Sequence, residues 1–193
     1  MQRFAAVLLA LSATAFPALS QTAPTGSEVA AHEGLFEAAH SGDVGEIRRL
    51  ADAGADLEER DARDRTPVLI AAYASRDDAL AVLAELGADM NAQDVQGYDA
   101  VTIAAVANDP DLMSLALSLG NRPGNLHWNW NGTALIAASH LGHDEVVRRL
   151  IAAGSPLDHV NNPGWTALVE AVVLGDGGPR HQATVRALVD AGA

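Results

Sequence analysis

The sequence predicts an all-α solenoid of stacked helix-turn-helix units joined by β-hairpin or turn connections. Three observations lead there. Gly-small pairs recur at Gly54-Ala55, Gly87-Ala88, Gly120-Asn121, Gly154-Ser155 and Gly192-Ala193, at intervals of 33, 33, 34 and 38 residues. A second marker keeps the same beat at Thr66-Pro67, Asp99-Ala100, Thr133-Ala134 and Thr166-Ala167, spaced 33, 34 and 33. Hydrophobic residues make up 49% of the chain but aromatics only 4%, so Ala, Leu and Val must do the packing, which suits closely approaching helices. Units of this length cannot hide their apolar sides alone, so each leans on its neighbours.

From the N-terminus, Met1-Gln2-Arg3 is a short positive start and Phe4–Phe16 an uncharged apolar run of thirteen residues. Pro17 follows, and then Ala18-Leu19-Ser20 place small residues where a signal peptidase inspects the chain. Residues 1–20 are therefore expected to be a secretory signal cleaved after Ser20. The run is too short for a membrane span. The polar stretch that follows makes 21–33 an expected linker. With no cysteine, an exported chain relies on its core and carries no lipid there, so the expected location is the periplasm or outside the cell. The formal charge of −13 becomes −14 without Arg3. An acidic body of this kind repels phosphate backbones and anionic lipid, which argues against nucleic-acid or membrane-surface partners.

The repeat domain is expected over 34–193, in units of about 34–60, 61–93, 94–126, 127–160 and 161–193, continuing beyond 193. Asp43 with Glu46 has the spacing of a capping box, and Asp109-Pro110 supplies a cap followed by Pro at the first helical position. In unit four, Leu135, Ala138 and Ser139 share one helical face, and Val146, Val147, Leu150 and Ile151 form the apolar face of the next helix. The recurrent Gly permits the positive φ that ends each second helix. Unit one lacks the Thr-Pro opening, as a terminal unit does. Unit three has Asp99-Ala100 and Thr102 in that place and is expected to be looser. At the far end, Val185, Leu188 and Val189 are expected to lack a shielding neighbour.

At "RTPVLIAAYASRDDALAVLAELGADMNAQD" (Arg65–Asp94) and "GTALIAASHLGHDEVVRRLIAAGSPLD" (Gly132–Asp158) the sequence resembles the ankyrin repeat. The resemblance runs from Leu35 to Ala193 and is closest to small exported ankyrin proteins of Gram-negative bacteria. It implies an ankyrin-repeat solenoid that binds a partner protein through hairpin tips and the concave, exposed side of each first helix. Carried onto this chain, that contact register holds Arg63, Arg65 and Tyr73, then Gln96 and Tyr98, then Asn129, Trp130 and His140, and finally Pro163 and Trp165. Trp, Tyr and Arg are the usual interface hot spots. The expected function is thus a non-catalytic, monomeric scaffold that holds another protein after export.

Chemistry has little purchase elsewhere. "GDGGPRH" (Gly175–His181) looks like a phosphate cradle, but no Lys-Ser or Lys-Thr opens the next helix and no Gly-x-Gly-x-x-Gly follows a strand. Unit five is five residues longer between its markers than its predecessors, so this stretch reads as an extended turn between paired helices. No cofactor fingerprint is present. His127, His140, His143 and Asp144 invite a metal or hydrolytic reading as the alternative, yet the spacing of a zinc site is missing, as is a Gly-x-Ser-x-Gly elbow. Glu37 and Glu170 share a register and are expected on a solvated face, as are the Arg48-Arg49 and Arg148-Arg149 pairs.

Overall fold

The computed structural model describes residues 23–127 and 130–193, so the expected signal segment, Trp128 and Asn129 lie outside the described residues. The stretch expected as a linker carries a short helix, α1 (Gly26–Ala30). Thr25 and Glu28 close a reciprocal capping box there, with the Thr25 amide donating to Oε2 of Glu28 at 2.7 Å. Five helix pairs follow: α2 (Gly34–Ser41) with α3 (Val44–Asp52), α4 (Pro67–Tyr73) with α5 (Asp77–Glu85), α6 (Ala100–Ala107) with α7 (Pro110–Ser118), α8 (Ala134–Leu141) with α9 (Asp144–Ala152), and α10 (Ala167–Val173) with α11 (Pro179–Asp190).

The first helices of the pairs stack on one another in chain order, and so do the second helices, which makes two parallel rows. The inner row is the drier one: Val68 to Ala72, Ala100 to Ala105 and Ala134 to Ser139 are all buried. Alanine on these faces lets the rows approach, and the larger Leu80, Leu83, Met113, Val146, Val147 and Leu150 fill the space between rows. Truncating one of them, as in Leu150→Ala, would cost about 2–5 kcal/mol.

The periodic glycines do what the spacing predicts. Gly54, Gly87, Gly120, Gly154 and Gly192 all have φ between 82° and 99°, and the residue after each donates its amide to a carbonyl five positions back, as Ala88 does to Leu83 at 3.0 Å. Helix starts are capped as read: Asp43 accepts from the Glu46 amide at 2.9 Å, and Asp109 from the Leu112 amide at 2.9 Å. The Glu46 side chain turns instead to Arg49, so only half of that box forms.

Unit three is tied where it was expected to be loose. Asp99, fully buried, accepts from the amide and hydroxyl of Thr102 at 2.8 Å each, capping α6 in place of Thr-Pro. Its other oxygen takes the side-chain amides of Asn121 and Asn125, both at 2.8 Å, so every lone-pair direction of a desolvated carboxylate is used. At the far end Leu188 is fully buried and Val185 is half-buried, leaving Val189 exposed.

Units also clasp their predecessors at the turn between paired helices. Arg76 donates to the His40 carbonyl at 2.9 Å, His143 through Nδ1 to that of Ala105 at 2.8 Å, and His181 through Nε2 to that of His140 at 3.0 Å. The "GDGGPRH" stretch therefore ends in a structural imidazole. Asp176 within it accepts from the Gly178 amide at 2.7 Å and from His181 Nδ1 at 2.8 Å. The backbone bond, followed by that to His181, holds the Asp176 carboxyl below its ordinary value. The extra length divides between a turn over 174–178 and α11, which has 12 residues where α9 has 9.

Candidate functional site

Between a second helix and the next first helix the chain makes a projecting hairpin, at 61–65, 94–98, 127–132 and 161–165. Three of the four share one construction. The first residue donates its amide to the carbonyl of the fifth: Asp61 to Arg65 at 3.1 Å, Asp94 to Tyr98 at 3.0 Å and Asn161 to Trp165 at 3.0 Å. The same first residue anchors the loop from inside, its Oδ1 accepting the fifth residue's amide at 2.9 to 3.0 Å. This is why Asp or Asn is wanted there: a short side chain with an acceptor can turn back on its own loop. Asp64, Gly97, Asn131 and Gly164 take the left-handed conformation that closes each hairpin. Neighbouring hairpins are bonded edge to edge, Val95 to the Arg63 carbonyl at 2.9 Å and Asn162 to that of Trp130 at 2.8 Å.

The hairpins and the exposed sides of the first helices form one face, and the contact residues read from the sequence divide on it. Trp130 and Trp165 are half-buried at the hairpins of units four and five, and Gln96 is half-buried in unit three. Arg63 is half-exposed and paired with Glu28 at 3.1 Å. Asn129 lies outside the described residues. Two expectations are revised. Arg65 is only 1% exposed, because its guanidinium turns inward onto Asp61 at 2.6 Å and Glu28 at 3.2 Å. Tyr98 is 3% exposed, its ring set edge-on to His127 with centroids 5.8 Å apart. Both turn inward to brace their hairpins, Arg65 beneath Glu28 of α1.

Tyr73 and His140 occupy the same register on α4 and α8 and face the next unit's hairpin. The Tyr73 hydroxyl donates to Asp94 Oδ2 at 2.9 Å; burial first, and then that carboxylate, push its phenol well above the ordinary value. His140 reaches Glu170 with Nδ1 at 3.0 Å, and Glu170 accepts from Asn161 Nδ2 at 2.7 Å. Glu170, expected on a solvated face, is thus buried, while Glu37 in the same register is exposed. A carboxylate in this position is tolerable because two donors converge on it.

The three imidazoles of the alternative reading are not gathered into one site. His140 serves Glu170, His143 serves the Ala105 carbonyl, and His127 packs under its hairpin against Tyr98. Among the described residues no group of three or more His, Cys, Asp or Glu side chains is placed to hold a metal ion. No helix among them is long and apolar enough to cross a membrane.

Aliphatic residues supply what a search for aromatics missed. Val95 and Val160 stand 56% and 49% exposed at the hairpins, and Val172 and Val173 stand 61% and 49% exposed on α10. Val173 holds the register of Tyr73 and His140, the signal that could have marked it.

A family model described as ankyrin repeats (3 copies) matches residues 96–193, and a second, ankyrin repeats (many copies), matches 68–117. The ankyrin repeat protein YahD of Escherichia coli (strain K12) is 40% identical over 65 residues, which cover 33% of this chain and 32% of YahD. The glycerophosphocholine phosphodiesterase gde1 of Schizosaccharomyces pombe is 41% identical over 59 residues, 31% of this chain but 5% of that enzyme. Of either relative the chain spans a third or less. The crystal structure of an ankyrin repeat domain from Acinetobacter baumannii AYE superposes with a TM-score of 0.76 at 36% identity, over 82% of this chain and 81% of that one. The matched repeats, the paired helices in two rows and the recurrent hairpins agree: the chain belongs to the ankyrin-repeat family.

Proposed function

We propose that this chain is a non-catalytic scaffold that acts after export and holds a partner protein against its hairpin face. Ankyrin repeats are in general protein–protein interaction modules. The observation that carries the reading for this chain is the set of Trp130, Trp165, Val95, Val160, Val172 and Val173, large apolar groups left partly in water on a frame whose hairpins are fixed from inside. Apolar groups held rigid at a surface lose little entropy on contact and gain from desolvation, which suits capture of a protein. The acidic body favours a basic or neutral partner at long range.

Replacing Trp130 and Trp165 together with Ala is the test. Partner capture from the exported fraction is expected to be lost, while the helical circular dichroism stays unchanged. Loss of the helical signal would instead make the two indoles structural. A chain that captures its partner as before would end the proposal. Export itself is read by N-terminal sequencing, with cleavage after Ser20 the expected outcome, and sedimentation is expected to show a monomer.

A further inference from the structure

The hairpin at 61–65 carries an arrangement the repeat does not need. Arg63 and Arg65 share their hairpin with Asp61 and Asp64, and a further carboxylate reaches both guanidiniums from outside the repeat, from Glu28 on α1. Glu28 Oε1 lies 3.1 Å from Arg63 Nε and 3.2 Å from a terminal nitrogen of Arg65. Arg65 is held by Asp61 independently of Glu28, and the Arg63 backbone is fixed by Asp61 Oδ1, which accepts its amide at 2.8 Å, so the guanidinium of Arg65 and the origin of the Arg63 side chain are in place without Glu28. Beyond α1, His32 lies edge-on to His40 on α2, with centroids 6.1 Å apart, so the segment crosses the same face proposed above for the partner.

α1 itself is poorly suited to be a permanent cap. It is five residues long and buries none of them. A helix of one turn has no stability of its own, and surface ion pairs hold weakly. We propose that α1 is an intramolecular occupant of a carboxylate site formed by Arg63 and Arg65, and that the partner enters this end of the face by presenting an acidic side chain that displaces Glu28. A directed ion pair at one end of the face also fixes which way round a partner lies. This rests on the hairpin-face reading above and adds the chemistry of one contact and its competitor.

The experiment uses the full chain and a synthetic peptide, TGSEVAA, that reproduces Thr25–Ala31. Peptide is titrated in, and NMR shifts of the arginine Nε–H groups of Arg63 and Arg65 are followed. Glu28→Gln, which empties the site without touching the core, is expected to bind the peptide about 1.5- to fivefold more tightly than the unaltered chain, the range an exposed ion pair spans. Gln in place of the peptide's glutamate, or Arg63→Gln added to the Glu28→Gln chain, is expected to remove the shift, and added salt to weaken it. Equal affinity for the unaltered and Glu28→Gln chains, an equal response to the uncharged peptide, or no saturable shift at these groups would each overturn the proposal. The titration reads the hairpin at 61–65 alone, whereas the tryptophan variant reads units four and five, so either idea can fail while the other stands.

Discussion

The hairpins at 94–98 and 127–132 are one unit apart and solve the same problem in opposite ways. In the first, a small anchor, Asp94, accepts from the Gln96 and Tyr98 amides and from the Tyr73 hydroxyl, all at 2.9 Å, and the bulky residue stands fifth. In the second the bulk has moved to the front. His127 takes the anchor position, its partner across the short β1 (Leu126–His127) and β2 (Gly132–Thr133) ladder is Gly132, and neither ring nitrogen finds a hydrogen-bond partner among the described residues although the side chain is 2% exposed. Where Tyr73 would reach forward, this junction has Val106. A hairpin can evidently be fixed either by polar satisfaction or by filling space, and the two should fail differently when disturbed.

Asp94→Ala should do the most damage, about 3 kcal/mol in chemical denaturation, because two amides and a half-buried phenol lose their acceptor together. A loss below about 1 kcal/mol would mean that water replaces the carboxylate and that polar anchoring matters little. Next comes Gly132→Ala, about 2 kcal/mol: a Cβ there would sit 2.6 Å from Nε2 of His127, and that ring, packed against Tyr98, has little room to yield. The same change should leave the hairpin at 94–98 protected in hydrogen exchange; loss of protection at both would show that the two are not independent. Tyr73→Phe removes one donor and keeps the ring, and about 1–1.5 kcal/mol is expected from the loss of a bond to a charged acceptor.

The spacing of Gly and of the Thr-Pro register made the helix pairs legible, because each marker answers a backbone demand, a positive φ or a helix cap, that few residues meet. The same register carries Tyr73 on α4 and His140 on α8, each directed at the next unit. It could not say which way a side chain turns. Arg65 and Tyr98 stand in contact positions, yet one is drawn inward by a carboxylate four residues earlier and the other by an imidazole from the next unit. Glu170 looked like surface because its donors, Asn161 and His140, are 9 and 30 residues away. The docking of α1 depends on a pair spanning 35 residues, from Glu28 to Arg63, and no periodicity announces it. What local propensity and repeat geometry dictate can be read along the chain; what depends on charge partners meeting across units cannot.

The smallest effect separates the two hairpins by pH. Burial holds His127 below its ordinary value of 6.5, against the pull of Asp99, which raises it, and with His159, which lowers it further; the Tyr98 ring facing it is uncharged. The folded state therefore keeps this ring neutral while the unfolded chain takes up a proton below about pH 6.5, so the contribution is complete above that value and drains away as the pH falls. His32 and His143 are held low by burial as well, so whole-chain melting carries their share too. His127→Phe isolates the difference, since it keeps an aromatic edge against Tyr98 and removes the titration. Between pH 7.5 and 5.5 the unaltered chain should lose up to about 1.4 kcal/mol more than this variant, one proton acting over roughly one pH unit. Exchange at the 127–132 amides should quicken with acid in the former and not in the latter. Parallel pH profiles for the two chains would mean that the buried imidazole finds a proton acceptor after all, which would erase the contrast between the hairpins.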